Sequence, residues 1–488
     1  MRRFLCVLML FVGCGAGLRP DQELEQARAA LTALPVEQAK NMRFLSLATI
    51  PEEERALAAG IASFALNSLG DSGYVARPEW IPGTDLLAFN LRNYTASEET
   101  YKTHWQTWET LAEIEPFFHV RTQVAVPPKK DAKGKETVAA EIKDVTIDAP
   151  WLPEALAKEV RETSASIGPV MRLEWWLAKV MQPPHYYALA GVPATELEFL
   201  KVLGIDPAEV RKLGADKGAN VISRIAFGHP RRVSSYIGPL GTLFVTKDVF
   251  VANGKRDAIR QPLNTATNPQ SGELVRLFEF DASEYIAAKA NGLHLFALYD
   301  SAGNRQDAVP LGGPGKSIAR DTSEDHPGFD GVVVPGLSCV RCHREQGMRD
   351  LNDVQSTLFG LASLQDAQAI RSFYNPPLLQ MRLKQAREQY GVALQAATDL
   401  SSEQVADGLG KLARVQLYDL VTPERAAVEC GVPVEEFSQV IRGIPDPYCQ
   451  LLSQGLAIHR ECWEPTFAVV MSAWPKVEAP AVEGAEHE

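Results

Sequence analysis

The chain has 488 residues, 45% of them hydrophobic, and carries 49 basic against 61 acidic side chains, a formal charge of −12. That length allows two or three domains with a sizeable core, and the acidic balance argues against nucleic acid or an anionic membrane surface as partner. Beyond the amino-terminal stretch, no apolar run is long enough to cross a bilayer.

Met1-Arg2-Arg3 leads into a nearly unbroken apolar run from Phe4 to Val12 and then into Gly13-Cys14-Gly15-Ala16-Gly17. A basic start, an apolar segment too short for a permanent anchor and small residues behind it make an export signal. Two cleavage positions fit. Val12-Gly13-Cys14 resembles a bacterial lipobox, which would make Cys14 the lipidated first residue; Cys14-Gly15-Ala16 would instead serve ordinary cleavage after Ala16. The lipoprotein is the favoured expectation, with residues 1–16 as the signal region, the mature chain starting at about residue 14, and the periplasm or outer membrane as destination. Loss of Arg2 and Arg3 leaves 47 basic residues against 61 acidic ones, a formal charge of −14.

Helical periodicity follows over residues 21–34, closed by Pro35, and over 53–69 through Ala56, Ala59, Phe64 and Leu69. Residues 86–91 predict a strand, 98–113 a helix with Trp105 and Trp108 as core aromatics, and 117–126 an extended segment stopped by Pro127-Pro128. The charged run 129–143 reads as a solvated loop or hairpin tip inserted into an apolar pattern that resumes at Trp151. A helix is predicted over 195–203. From 221 to 305 the pattern turns β-rich, with strands expected in 233–250, in 274–280 and over 292–300. Residues 312–329 read as a loop: Gly312-Gly313-Pro314-Gly315-Lys316-Ser317 lacks the first glycine of a phosphate-binding loop, since Pro310 stands there.

Ser338-Cys339-Val340-Arg341-Cys342-His343 carries the chemistry. Cys-x-x-Cys-His is the attachment motif for c-type haem. On a helix the cysteines stand three apart on one face, within reach of the two vinyl groups of one porphyrin, and His343 follows as proximal iron ligand. A zinc site needs a second ligand pair, which the chain lacks, and a redox dithiol needs no adjacent histidine. Haem attachment and export agree, because bacteria join haem to protein outside the cytoplasm. Helices are then expected at about 361–373, 378–391, 402–417, 423–430, 434–442 and 463–472, before a disordered acidic tail over 475–488. The expected fold class is α+β: a mixed helical and β-rich body over 21–330 and a mostly helical haem-bearing region over 331–474.

Ile222-Ser223-Arg224, Ser271-Gly272-Glu273, Asn291-Gly292-Leu293, Gly303-Asn304-Arg305 and the segment Pro335 to His343 carry a further likeness. On these residues the chain resembles a family of exported bacterial mono-haem c-type cytochrome-like proteins, from about Arg43 to the C-terminal helices. The resemblance implies export and one covalent haem c held by Cys339, Cys342 and His343. It supplies no reaction.

A single motif means a single haem, one fewer than the usual bacterial di-haem peroxidase carries. The sixth iron ligand then separates an electron carrier from an open site. Candidates are Met381, 38 residues after His343, and His229 in Phe227-Gly228-His229-Pro230; His185, His326 and Met471 follow. Met348 stands too near His343 to reach the opposite face of the porphyrin. Cys430, Cys449 and Cys462 allow one disulfide and one thiol, or three small core residues. The leading expectation is electron transfer with a redox partner protein. The alternatives are a haem peroxidase or oxidase and a haem-based redox or gas sensor.

Overall fold

The computed structural model describes residues 18–126, 129–130, 136–138, 141–207, 210, 217–222, 230–248, 266–267, 274–275, 280–308, 332–349 and 376–474. The signal with Cys14, the candidates His229 and His326, the expected helix at 361–373 and the tail 475–488 lie outside the described residues.

Helices α1 (Pro20–Thr32), α2 (Val36–Ala39), α3 (Arg55–Leu69), α4 (Glu98–Ala112), α5 (Glu154–Ser164), α6 (Leu173–Val180), α7 (His185–Leu189) and α8 (Glu196–Val202) occupy the first half. Among them runs a four-stranded mixed sheet of β1 (Met42–Ser46), β2 (Glu79–Trp80), β3 (Leu86–Asn90) and β8 (Val170–Arg172), ordered β2-β3-β1-β8 with β1 and β8 parallel. The described residues of the charged run 129–143 lie in strands. Strands β4 (His119–Val126) and β7 (Glu141–Asp148) pair antiparallel, and β5 (Lys129–Lys130) and β6 (Glu136–Val138) pair beyond them.

The β-rich part is an antiparallel five-stranded sheet, ordered β15-β14-β11-β10-β9, of β9 (Lys217–Ile222), β10 (Pro230–Gly238), β11 (Gly241–Asp248), β14 (Ala282–Ala288) and β15 (His294–Asp300). Within the stretch 274–280, which reads as one strand, only Leu274–Val275 is strand among the described residues; it is β13, paired with β12 (Ala266–Thr267).

The second half adds α9 (Leu337–Cys342), α10 (Pro376–Thr398), α11 (Ser402–Leu417), α12 (Pro423–Cys430), α13 (Val434–Arg442), α14 (Pro447–Ser453) and α15 (Arg460–Ala473). Local signals set these ends. Ser401 and Gln404 form a capping box at α11, Thr422 caps α12 and Asp446 caps α14. The fold is α+β, as expected from the sequence.

Residues on both sides of position 330 share one hydrophobic core, from Leu24 and Phe44 through Trp175 and Leu295 to Trp463 and Phe467. A buried ionic cluster crosses the same line. Glu429 on α12 accepts from Arg425 Nε at 2.6 Å, from Arg460 Nη1 at 2.7 and 2.8 Å, and from Trp463 Nε1 at 2.7 Å. Burial alone would raise its pKa, yet Arg460 and Arg425 hold it down to about 2. Arg172 donates to Glu23 Oε1 and to the Glu429 carbonyl, each at 2.8 Å, while Arg425 reaches Glu174 at 2.9 Å. Charges so deeply buried need such partners, since an isolated one would cost several kcal/mol, about 3–5 when a partner is removed.

Candidate haem-attachment site

The motif lies on α9. Leu337, Ser338, Val340 and Arg341 turn inward and are buried, whereas Cys339, Cys342 and His343 are half-buried on the more open face. Cys339 and Cys342 stand one turn apart on one helical face, and His343 follows as the C-cap, where φ −96° and ψ 35° leave the helix. Gly336 starts the helix with φ +86°, and a Cβ there would stand 2.5 Å from the Met181 carbonyl and 2.7 Å from the Tyr186 ring. A glycine is therefore required by both conformation and space. Ser338 Oγ accepts the Val334 N–H at 3.0 Å, and the His343 N–H closes the last turn on the Cys339 carbonyl at 2.9 Å.

Strand β15 backs this segment with one alternating face. Leu298 packs with Val333 and Cys339, Phe296 stacks on the His343 ring with centroids 5.8 Å apart and planes at 27°, and His294 meets the Gly347 carbonyl through Nδ1 at 3.2 Å. Successive inward residues thus touch successive parts of the segment, the consequence of the period-2 geometry of a strand. β15 is an edge strand, and its outward amides are covered by α7: Phe296 N–H donates to Tyr186 Oη at 3.0 Å and Leu298 N–H to Tyr187 Oη at 3.2 Å. Burial raises both phenol pKa values, with the Cys339 thiol close enough to add a smaller upward push.

Past His343 the chain turns back through Gly347 at φ +73° to the buried Met348. Three side chains hold its carbonyls: Arg349 Nε donates to Cys342 O at 2.6 Å, His294 to Gly347 O, and Arg387 Nη2 to Met348 O at 3.3 Å. A carbonyl only accepts, so Nδ1 of His294 carries the proton in that bond. Burial lowers the pKa of His294 to about 4, so the ring is neutral at pH 7, and it stacks on Tyr390 at 4.6 Å.

The other sequence candidates are placed as follows. Met381 is 49% exposed on α10, two residues from Leu379 and Leu383, whose opposite face packs on Met348. Met471 is buried in the core beside Phe467, and His185 is half-buried at the start of α7 with its pKa lowered first by burial and then by Lys179. None of the five described cysteines is in a disulfide. Cys430 and Cys449 are fully buried, with burial pushing Cys449 up to about 12, and Cys462 is half-buried.

Sequence reading missed His294 and Phe296 as parts of the site. The signal was available in the alternation His294, Phe296, Leu298 within a strand already expected there, but a lone histidine in an apolar strand reads as core. Among the described residues no three His, Cys, Asp or Glu side chains are grouped to hold a bare metal ion. Haem asks less of the protein, since the porphyrin supplies the equatorial ligands and the chain only the axial ones. Two half-buried thiols one turn apart, outside any disulfide and next to a half-buried imidazole, fit its attachment.

Compared with protein-family models, with curated proteins and with solved structures, the chain finds no match.

Proposed function

We propose that the protein is an exported mono-haem c-type cytochrome that transfers electrons in the bacterial cell envelope. Cys339 and Cys342 would carry the two thioether bonds and His343 would ligand the iron from the α9 side. The bound haem supplies a one-electron redox centre. The observation that carries the reading is the placement of half-buried Cys339 and Cys342 one turn apart on α9, with half-buried His343 at its C-cap beside Phe296 of β15. Packing of this kind holds the ligand imidazole in one orientation and keeps the proximal side apolar, which suits a centre that changes charge with little rearrangement. Export follows from the basic start, short apolar run and small residues of the first 17 positions, with Cys14 as the lipidated residue and the lipid as the only membrane attachment.

The test is expression of the full chain in a bacterium competent for c-type maturation. Intact mass should show one covalently bound haem per chain, and Cys339→Ala with Cys342→Ala together should abolish it; covalent haem surviving in the double variant would refute the assignment. Ferrous spectra with and without carbon monoxide then separate the roles. A six-coordinate spectrum indifferent to the gas is expected for an electron carrier, and rapid gas binding would instead favour a peroxidase, oxidase or sensor. Mass spectrometry of the mature amino terminus should find lipid on Cys14.

A further inference from the structure

The strand face that backs the motif ends on a residue with no part yet in the chemistry. His294 is buried and is fixed on both sides, by its hydrogen bond to Gly347 O at 3.2 Å and by its stack on Tyr390 at 4.6 Å. Gly347 is pressed against it: a Cβ there would lie 2.6 Å from His294 Nδ1 and 3.0 Å from the Tyr390 ring, at a φ of +73° that already favours glycine. Two residues along the same strand, Phe296 stacks on the ring of His343 with centroids 5.8 Å apart. The chain from His343 to Gly347 is therefore a short span pinned at both ends by one rigid strand.

We propose that His294 is a positioning residue for His343: by latching the Gly347 carbonyl to β15 it fixes the turn after α9 and, through it, the orientation of the His343 imidazole against Phe296. The inference rests on the haem reading above. A strand transmits position with little slack, because its backbone is held by the ladder from Ala282↔Asp300 to Ala288↔His294 on one side and by Tyr186 and Tyr187 on the other. An imidazole that turns about its bonds changes its overlap with the iron, so loosening the latch alters the electronic state of the centre without touching a ligand.

The test uses the full haem-loaded chain with three substitutions. His294→Asn keeps an N–H donor near the Nδ1 position, His294→Leu removes it, and Gly347→Ala disrupts the latch from the other side. Hydrogen exchange of the amides of residues 343–348, the midpoint potential and the ferric spectrum are read for each. His294→Leu and Gly347→Ala should raise exchange in that span by about tenfold. Both should also shift the potential, while His294→Asn stays near the parent on both measures. Parent-like exchange and potential in His294→Leu, or no rescue by Asn, would overturn the latch. Should His294→Leu fail to fold, the contrast between His294→Asn and Gly347→Ala decides on the same measures. If the parent chain carries no covalent haem, the functional reading fails by itself; exchange in the haem-free variants still tests the latch.

Discussion

At the scale of single residues, the buried carboxyl of Glu115 shows what the interior asks of its charges. Its Oε2 accepts the N–H groups of Phe117 at 2.9 Å and Phe118 at 3.0 Å, while Oε1 is buried without a hydrogen-bond partner. Burial raises its pKa to about 8, against the opposing pull of Arg172. The folded state therefore keeps a proton that the unfolded chain releases near 4.5. Stability from this group is complete below about 4.5 and declines as pH rises from there to about 8. The slope is at most about 1.4 kcal/mol per pH unit. Glu115→Gln imitates the protonated form, so urea unfolding across pH 5 to 8 should show the variant gaining on the parent as pH rises. A constant difference across that range would mean that Glu115 does not hold its proton. The buried Lys289 has an ordinary structural role: Nζ donates to the Ser68 carbonyl and Asn291 to that of Asn67, so the pair caps the end of α3. Burial lowers its pKa to about 7, against the smaller upward pull of Asp71.

At the scale of elements, β15, an edge strand of the five-stranded sheet, carries the face of the candidate site. Tyr186→Phe or Tyr187→Phe strips the acceptor from a buried strand amide, and each should cost about 1–3 kcal/mol in chemical denaturation. The Tyr187 change should cost more, because its hydroxyl also donates to the Gln306 carbonyl at 2.7 Å. A loss near zero for both would show that the edge finds other partners. Elements with one buried stripe were legible in the sequence: α1, α4 and α11 fall within a few residues of the expected spans because Leu24, Ala27 and Leu31, or Val405, Leu409 and Leu412, repeat at helical spacing. Of the elements buried nearly all round, β3 and β15 were legible as apolar runs, whereas β1 and α6 were not. β1 hides Arg43 and Ser46 beside Phe44 and Leu45, and α6 buries seven of its eight residues, so neither shows a polar face against which a period can be read. For the candidate site, the two thiols and the imidazole were legible as a contiguous Cys-x-x-Cys-His pattern in the sequence. His294 was not, because its partner is a backbone carbonyl and no side-chain pattern records it.

At the scale of the whole molecule, the division expected near residue 330 is not a seam in the packing. α10 packs on α3 and on the five-stranded sheet, α11 packs on α6, and Ser63 Oγ donates to the Ala397 carbonyl at 2.7 Å. Separate expression of residues 18–330 and 331–474 should thus yield two chains without cooperative unfolding, while the joined chain unfolds in a main transition by circular dichroism. Two independently cooperative halves would contradict the shared core.

The cluster around Glu429 bears on time as well as on space. A chain threaded outward amino-terminus first delivers Glu23, Arg172 and Glu174 long before Arg425, Glu429 and Arg460 follow. Until the last helix arrives, the early charges have no complete set of partners and closing the core around them is unfavourable. Cys339, Cys342 and His343 lie between the two groups of charges in the chain, ahead of the helices that complete the cluster.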